Sequence, residues 1–486
     1  MTDRGDDFAR RTSSTMRRFL DLEDRAPDDL LEVLPGATVP FWAQVRMQIF
    51  WMMSAEHTGS VEVAKTSEWT RWGEARRVAR GYLPGRWDAV RRSARHDVCF
   101  YVSGSTLADE GGRARNWLVD DFAEAAGDAL VVQLRPLPAP IGKPVFRPTL
   151  SMESATARAR WRARGTAIAP STSRSMDRLL EAFAGHLDRP SGAFAGIGQS
   201  VRRTELLRPF QLDELSRLLD RVRPKIVLFD NGSYTYHGEW VGVMKDAGAW
   251  VAEPQHGWIG PSHAAYNYGT AFDQAVLRRA LPDEVLTFGP YWSASIRHPG
   301  VVTAIGKPHL ERQAASAPET RPRSVLVVSS RTDPDVTDAF VVGLRAGLGA
   351  EWSIVFRPHP GERSETARRY PRLSADAGVI IDDAADVYET LKRTAIVVGE
   401  ASTVLFEARA FGCRVIARDS PFADSVIGDA FGERVSDVAH SVQRIEALGV
   451  DGAVDVATDP SIWAAKPVAA FREWLTVRRQ EPRRTP

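Results

Sequence analysis

Short apolar runs that stop at glycine, proline or polar residues recur along the first 310 residues, and segments with a helical pattern separate them. Runs of β-branched and other apolar residues that are bounded by turn residues predict β-strands. Strands that alternate with helices predict a parallel sheet covered by helices on both faces. The predicted strands of this first unit lie at residues 97–102, 129–132, 225–229, 250–252, 284–288 and 301–305.

A second alternation of the same kind follows residues 311–323, a polar segment rich in alanine, proline and arginine that we interpret as a linker. We therefore expect two doubly wound, Rossmann-like α/β domains, residues 1–310 and 311–486, that face a central cleft. The second is expected to contain a closing helix near 462–474. Its predicted strands lie at 324–328, 352–356, 379–381, 395–398 and 414–416, and its helices at 335–348, 387–392 and 403–411.

The first ninety residues are rich in arginine and tryptophan and are predicted to form a helical extension of the first domain. Residues 39–55 are the most apolar early stretch, but Arg46 and Gln48 interrupt them. The stretch is shorter than the ~20 apolar residues that a membrane span needs. We interpret it as a buried helix or as a helix at a membrane surface, since its tryptophans suit that boundary. Residues 136–170 are rich in proline and arginine and predict irregular structure.

Composition narrows the class of protein. The chain has 486 residues, 43% of them hydrophobic, which is typical of two globular domains. A net charge of +1 lacks the basic excess that nucleic-acid binding requires, so we expect no nucleic-acid partner. Cys99 and Cys413 lie in apolar runs and predict buried free thiols rather than a disulfide framework or a zinc cluster. The charged N-terminus lacks a signal-peptide core, so a cytoplasmic protein is expected.

Candidate chemistry lies directly after the predicted strands of the second domain. The strand at 352–356 runs into Arg357-Pro358-His359-Pro360, and the two prolines hold this segment in a stiff loop. An arginine and a histidine together offer fixed and titratable positive charge to a phosphate. The alternative is a polar loop whose histidine has no function.

Hydroxyl side chains follow two further strands of this domain. Ser402 and Thr403 stand at the start of a predicted helix, where free backbone N–H groups and the helix dipole favour an anion. Plain helix capping by either hydroxyl is the alternative. Glu407, one turn further on, is placed to accept from ribose hydroxyls or to cap the turn. Ser329 and Ser330 suit contact with a phosphate.

The acidic sequence Asp333-Pro334-Asp335 has the form of a divalent-cation site. A helix N-terminus explains it better, with Asp333 as the cap and Pro334 at the first helical position. We therefore expect no metal ion, and nothing in the sequence indicates a cofactor.

Two strand ends of the first domain carry candidate general bases. Asp230 opens an Asp-Asn-Gly sequence and could take a proton, or the sequence could form only a turn. His256 follows the next strand and could deprotonate a hydroxyl, or its ring could be satisfied by the backbone. Polar and aromatic residues on the same side are predicted either to contact a sugar or to pack: Gln255, His263, Tyr266 and Trp292.

These motifs resemble those of bacterial transferases that build surface polysaccharides. Arg357-Pro358-His359-Pro360 is similar to the His-Pro motif of bacterial sialyltransferases and polysialyltransferases. Ser402-Thr403 is similar to their Ser-Ser/Thr motif, and Asp230-Asn231-Gly232 to their acidic-acidic-glycine motif. Gln255-His256-Gly257, paired with the His-Pro motif, is also similar to the glycerophosphotransferases that build teichoic acid. The resemblance covers residues 225–416.

The resemblance implies a GT-B fold and transfer from a CMP- or CDP-linked nucleotide-sugar donor to a glycan or lipid-linked glycan acceptor. The setting would be capsule or cell-envelope polysaccharide synthesis, with peripheral contact at the inner face of the plasma membrane. His359, as an imidazolium, would contact the donor phosphate with Ser402 and Thr403. The base would be Asp230 by the first pattern and His256 by the second, and the non-acidic Asn231 shifts weight to His256. A metal-independent, inverting reaction is expected by analogy.

Other functions stay open on sequence alone. One is a transferase that moves a polyol phosphate, such as glycerol phosphate, with the same two histidines. Another is a non-catalytic protein that binds nucleotide sugars or glycans. A third is a two-domain epimerase, which would use a UDP-sugar and no acceptor.

Overall fold

The computed structural model describes residues 8, 10–58, 87–134, 143–318, 320–384, 386–449 and 459–481. Every strand predicted from the sequence is present within two residues of its expected bounds. The strands are β1 Val98–Val102, β2 Leu107–Glu110, β3 Arg113–Asn116, β4 Ala129–Gln133, β5 Leu150–Ser151, β6 Ile226–Phe229, β7 Trp250–Pro254, β8 Glu284–Thr287, β9 Val301–Ala304, β10 Ser324–Val328, β11 Ser353–Arg357, β12 Val379–Ile381, β13 Ile396–Gly399 and β14 Arg414–Ala417.

Two parallel sheets organise the chain. The first has seven strands in the order β5-β4-β1-β6-β7-β8-β9, and the second has five in the order β12-β11-β10-β13-β14. All strand pairs within both sheets are parallel. A small antiparallel hairpin of β2 and β3 stands apart. Chain order reverses between β1 and β6 and between β10 and β13, so each sheet is doubly wound and has its binding crevice there.

The helices are α1 Ser14–Arg25, α2 Phe41–Thr58, α3 Ala89–Arg92, α4 Asp120–Ala126, α5 Glu153–Arg162, α6 Pro170–His186, α7 Ala195–Val222, α8 Gly238–Asp246, α9 Ala275–Arg278, α10 Pro290–Ala294, α11 Pro308–Ala314, α12 Pro334–Gly347, α13 Thr366–Arg369, α14 Pro371–Ala375, α15 Val387–Leu391, α16 Thr403–Ala410, α17 Pro421–Val426, α18 Val438–Leu448 and α19 Pro467–Gln480. Short 3-10 helices lie at Asp28–Leu31, Thr235–His237, Thr270–Asp273 and Arg363–Glu365.

Both faces of the first sheet are buried under helices, as the unbroken apolar run of β1 predicts. Cys99 and Tyr101 point into a core shared with Leu215 of α7. Phe100 points to the other side, where its ring lies 6.4 Å from that of Phe471 in α19. Successive residues of one strand therefore serve two separate cores.

The position of α19 corrects the expected domain organisation. We expected a closing helix within the second domain, but α19 packs on the first sheet. Phe471 and Trp474 share a core with Phe100 and Phe122. The reason is the apolar stripe along α19, which covers a face of the first sheet that α4 covers only in part.

Residues 459–466, which precede α19, are bound tightly to the first domain. Backbone N–H groups of Tyr291 and Ala464 donate to Ser461 O and Phe288 O, both at 2.7 Å. The indole N–H of Trp292 donates to Ile462 O at 2.9 Å. This segment, which we call the crossing segment, thus ties the end of the chain to the loop after β8.

The apolar stretch near residue 40 forms α2, a mostly buried helix. Phe41, Trp42 and Ile49 have no exposed surface, whereas Trp51 is 38% exposed. Arg46, which interrupts the apolar run, is itself buried and pairs with Glu23. Among the described helices, none is long and apolar enough to cross a membrane.

The expectation of irregular structure at 136–170 was wrong, since α5 forms inside it. The alternating alanines and arginines of this helix give no apolar stripe, so the sequence lacks the usual helical signal. Its buried Arg158 instead donates to Glu214 at 2.6 Å and to Asp88 at 2.6 Å. Part of the same stretch, residues 136–142, lies outside the described residues.

Both cysteines are buried free thiols, as predicted. Burial raises the pKa of Cys99 to about 12 and that of Cys413 to about 11, so both thiols stay protonated at neutral pH. Among the described residues, no group of three or more His, Cys, Asp and Glu side chains could hold a metal ion.

The close contact with the crossing segment requires glycine at position 289. A Cβ there would lie 2.3 Å from Ile462 O and 2.9 Å from Ser461 O, both backbone atoms. Gly289→Ala should therefore lower the free energy of unfolding by about 1–3 kcal/mol, measured by thermal or urea denaturation. Gly185→Ala is the matched control, because a Cβ on this α6 residue meets nothing within 4 Å. An equal effect of both substitutions would contradict the close contact.

Candidate functional site

A cavity of about 670 Å³ opens at the switch point of the second sheet, between the ends of β10 and β13. We call it cavity A. Its walls come from both domains, so the two sheets face each other across it. The first domain contributes the β2–β3 hairpin and the loop after β9, with Asp109, Trp117, Lys143, Lys307 and His309 among the lining residues.

The structure brings six of the residues singled out in the second domain to this one cavity. They come from three different strand ends, which the parallel register places side by side. Ser329 follows β10, Arg357 and His359 follow from β11, and Ser402, Thr403 and Glu407 follow β13. Spacing in the sequence alone does not bring them together, because more than 70 positions separate Ser329 from Thr403.

The His-Pro loop is held in a defined conformation. The guanidinium of Arg357 pairs with the buried carboxylate of Asp382. The Gly361 N–H donates to Nδ1 of His359 at 3.1 Å, which leaves Nε2 to carry the proton of the neutral ring. Burial, and then the positive charge of Arg331, lower the pKa of His359. The expected imidazolium is therefore disfavoured, and His359 offers a neutral N–H donor instead.

Glu362 is a residue that sequence reasoning missed, and it organises this loop. Its carboxylate is 2% exposed and accepts from the Ser329 hydroxyl at 2.7 Å and the Tyr370 hydroxyl at 2.9 Å. It also accepts from the backbone N–H of His359 at 3.1 Å. The Ser329 hydroxyl thus links β10 to the His-Pro loop.

The loops after β10 and β13 are joined to each other. Ser330 Oγ accepts from the Ala401 N–H at 3.1 Å. Ser402 caps α16, since its Oγ accepts from the Val404 N–H at 3.2 Å, which confirms the predicted capping. Asp333 likewise caps α12, accepting from the Asp335 N–H at 2.9 Å, so the acidic sequence there belongs to a helix start.

Glu407 makes a buried ion pair across the domain boundary. Its carboxylate pairs with Lys307 of the first domain and accepts from the Tyr388 hydroxyl at 3.0 Å. The Lys307 ammonium also lies 4.6 Å from the ring centre of Trp117. A ribose could reach Glu407 only beside this pair. The sequence signal for Lys307 was its place in a Gly-Lys-Pro turn after β9.

Asp230 lies at the switch point of the first sheet, between β1 and β6. It is 1% exposed. Its two carboxylate oxygens accept from the Ser103 N–H at 2.7 and 2.9 Å and from the Ser103 hydroxyl at 2.8 Å. The carboxylate therefore bonds the ends of β1 and β6 together.

His256 lies beside a second carboxylate that sequence reasoning missed. Glu253 is fully buried, accepts from the Ser233 N–H at 2.5 Å and the Tyr266 hydroxyl at 2.8 Å, and lies 3.7 Å from Nδ1 of His256. Burial raises the pKa of Glu253 to about 7 and lowers that of His256 to about 4. At neutral pH the imidazole of His256 is therefore uncharged.

The other residues expected on the acceptor side have structural contacts. Gln255 accepts from the Phe288 N–H at 2.8 Å, and Tyr266 is fully buried. His263 lies 3.3 Å from the Tyr234 hydroxyl through Nε2. Trp292 has no exposed surface and packs 4.7 Å from the ring of Phe406 in the second domain. In this structure Tyr266 and Trp292 present no face to a ligand.

A second cavity, of about 860 Å³, adjoins the first, and we call it cavity B. Ser402 and Thr403 line both cavities, so they form the wall between them. His256 lines neither cavity, but Trp258 and Ser262 of its loop line cavity B. Of the two candidate histidines, His359 therefore lines cavity A, whereas His256 lies outside the lining of both cavities.

Two doubly wound sheets that face each other across such a cleft define the GT-B fold. No protein-family model matches the sequence, and no curated protein matches it either. Solved structures with a similar fold include the UDP-GlcNAc 2-epimerase from Methanocaldococcus jannaschii, with 9% identity, a TM-score of 0.45, and coverage of 78% of this chain and 99% of that chain.

Two further solved structures have a similar fold. The glycotransferase of kitacinnamycin has 14% identity and a TM-score of 0.38, with 79% of this chain and 96% of that chain covered. HepE from Anabaena, solved with UDP and glucose, has 12% identity and a TM-score of 0.41, with 79% of this chain and 99% of that chain covered. Because these TM-scores are low, the fold assignment rests on the strand order of the chain itself.

The buried pair of Lys307 and Glu407 predicts a large effect of removing one partner. Lys307→Met should lower the free energy of unfolding by about 3 kcal/mol, because Glu407 is left buried without its counterion. The double variant Lys307→Met/Glu407→Gln should recover more than half of that loss in urea denaturation. Arg368→Met, which breaks an exposed pair with Glu365, is the control and should change stability by less than about 1 kcal/mol. Equal losses in the single and double variants would contradict the ionic role.

Glu253 predicts a pH-dependent difference in stability. Its pKa is raised from 4.5 to about 7, so ionising it costs stability as pH rises between those values. Glu253→Gln should therefore gain stability relative to the parent protein from pH 5 to pH 8, by up to about 1.4 kcal/mol per pH unit. Thermal melts of both proteins across this range measure it, and nearby histidines titrate in both. A difference that stays constant with pH would contradict the raised pKa.

Proposed function

We propose that this chain is a glycosyltransferase that binds a nucleotide-sugar donor in cavity A. The observation that carries the proposal is the convergence of three strand ends on that cavity. They supply an arginine, a histidine and a helix start, a combination that suits a phosphate ester. Cavity B, on the other side of Ser402 and Thr403, offers space for an acceptor.

The proposed reaction is displacement at the anomeric carbon. An acceptor hydroxyl attacks this carbon, the bond between carbon and phosphate oxygen breaks, and the nucleotide leaves with the electron pair. The developing negative charge is met by the His359 N–H, the backbone N–H groups at the start of α16, and the nearby charges of Arg357 and Arg331. These groups are already fixed by protein contacts, so little reorganisation is needed.

The acceptor proton requires a base, and the surroundings favour His256 over Asp230. The Asp230 carboxylate is occupied by three hydrogen bonds from Ser103. His256 is neutral at pH 7, and its Nδ1 faces Glu253, which can stabilise the imidazolium once it forms. The finer assignments are a CMP- or CDP-linked donor, a cell-surface glycan or lipid-linked glycan acceptor, and inversion, all supported by the sequence resemblance alone.

The test is a thermal-shift screen with CMP, CDP, UDP, GDP and TDP. We expect CMP or CDP to raise the melting temperature, and His359→Ala to weaken nucleotide binding about tenfold, or 1.4 kcal/mol, because a phosphate contact is lost. His440→Ala, on α18 and outside both cavities, is the matched control. Product analysis with a CMP-sugar and with CDP-glycerol then separates sugar transfer from polyol-phosphate transfer.

Each other result of the binding and turnover assays points to a specific alternative function. A shift with UDP or GDP only would remove the CMP- or CDP-linked donor, and conversion of a UDP-sugar without an acceptor would identify an epimerase. Binding without turnover would identify a nucleotide-sugar-binding protein. No nucleotide binding at all would overturn the proposed function.

A further inference from the structure

Cavity B is lined by charged residues of both signs, by hydroxyl side chains and by apolar surface. It lies between the N-terminal segment, the loop after His256 and the ends of β10, β13 and β14. Four arginines line it: Arg10, Arg11, Arg331 and Arg418. None of them was predicted as a site residue from the sequence.

Among these arginines, Arg418 gives the strongest indication of a bound anion. It directly follows β14, and its guanidinium lies 3.9 Å from the ring centre of Phe340. Within the described residues its side chain has no hydrogen bond or ion pair, although burial lowers its pKa. A half-buried guanidinium without a protein acceptor is expected to bind an anion, because its five N–H donors are otherwise unsatisfied.

The carboxylates around cavity B already have partners. Asp333 caps α12. Asp419 and Asp424 lie 3.4 and 2.5 Å from Arg434, which is not a lining residue. Glu400, whose charge interacts with that of Arg418, accepts from a threonine hydroxyl. These acids therefore do not neutralise Arg418 by direct contact.

Beside serine and threonine hydroxyls, part of the remaining lining is apolar and open to solvent. Val336 is 53% exposed and Phe422 is 39% exposed. Phe50, Trp258 and Val426 add further apolar surface. The cavity thus suits a ligand with an apolar chain next to its charged group.

We propose that cavity B binds an anionic amphiphile, a phosphate or phosphodiester group carried on an apolar chain, with Arg418 contacting the anion. Such a ligand is the acceptor or its lipid carrier, which rests on the proposed function. The binding chemistry itself depends only on the cavity. Ser402 and Thr403 would then separate the donor phosphate in cavity A from the acceptor anion in cavity B.

The test uses the full chain and three probes: octyl phosphate below its micellar concentration, inorganic phosphate and octanol. Isothermal titration should show octyl phosphate binding at least about tenfold more tightly than either of the others. Arg418→Gln should weaken octyl phosphate about tenfold, and Arg418→Lys should retain part of the affinity. Arg444→Gln, an exposed arginine of α18, is the matched control and should bind as the parent does.

A second variant separates the two halves of the ligand. Phe422→Ser should weaken octyl phosphate but leave inorganic phosphate unchanged. Octanol binding as tightly as octyl phosphate, or unaltered binding in Arg418→Gln, would overturn the proposal. Displacement of octyl phosphate by the nucleotide bound in cavity A would overturn it too.

The same titrations distinguish the two proposals. Arg418→Gln should keep the nucleotide-dependent thermal shift, since Arg418 lines cavity B and not cavity A. If the parent protein binds octyl phosphate but no nucleotide, the proposed function is contradicted and the proposed anion site is supported.

Discussion

The aromatic contact between the two domains holds the two walls of the cleft together. Trp292 of the first domain packs 4.7 Å from Phe406 of the second, and both rings adjoin Trp463 of the crossing segment. Such aromatic pairs contribute about 0.5–1.5 kcal/mol beyond the area they bury. Because the indole N–H of Trp463 also donates to Phe406 O at 3.3 Å, the second domain is held to the end of the chain. This contact therefore holds together the two domains that line the cavities.

The buried ion pair between the domains fixes their relative orientation, whereas apolar contact alone only holds them together. An apolar interface tolerates sliding, whereas the pair of Lys307 and Glu407 loses its Coulomb attraction if either side chain shifts. The same carboxylate is placed where a ribose hydroxyl was expected to bind. Under the proposed function, domain orientation and donor binding would share one residue, so a ligand at Glu407 would act on the interface as well.

The strands could be predicted because the signal is local: β-branched runs between turn residues need no partner to be recognised. The residues after β10, β11 and β13 that line cavity A could be predicted for the same reason, since ligands of doubly wound folds bind outside the carboxyl ends of the strands. What could not be predicted depends on pairing across the fold. Arg158 makes α5 possible only through Glu214 and Asp88, and α19 leaves the second domain because an apolar face of the first is available. Glu253 was missed because a lone glutamate in a strand gives no sign of burial.

The loop after β7 connects these parts of the molecule. It follows Glu253, a residue of β7 whose raised pKa depends on complete burial, and continues through His256 to Trp258 and Ser262 in the wall of cavity B. The indole N–H of Trp258 donates to Val426 O of the second domain at 2.9 Å, so the loop also contacts the opposite lobe. A ligand in cavity B therefore touches the segment that carries His256. In the proposed reaction, the acceptor side of the cleft and the proposed base thus share one loop.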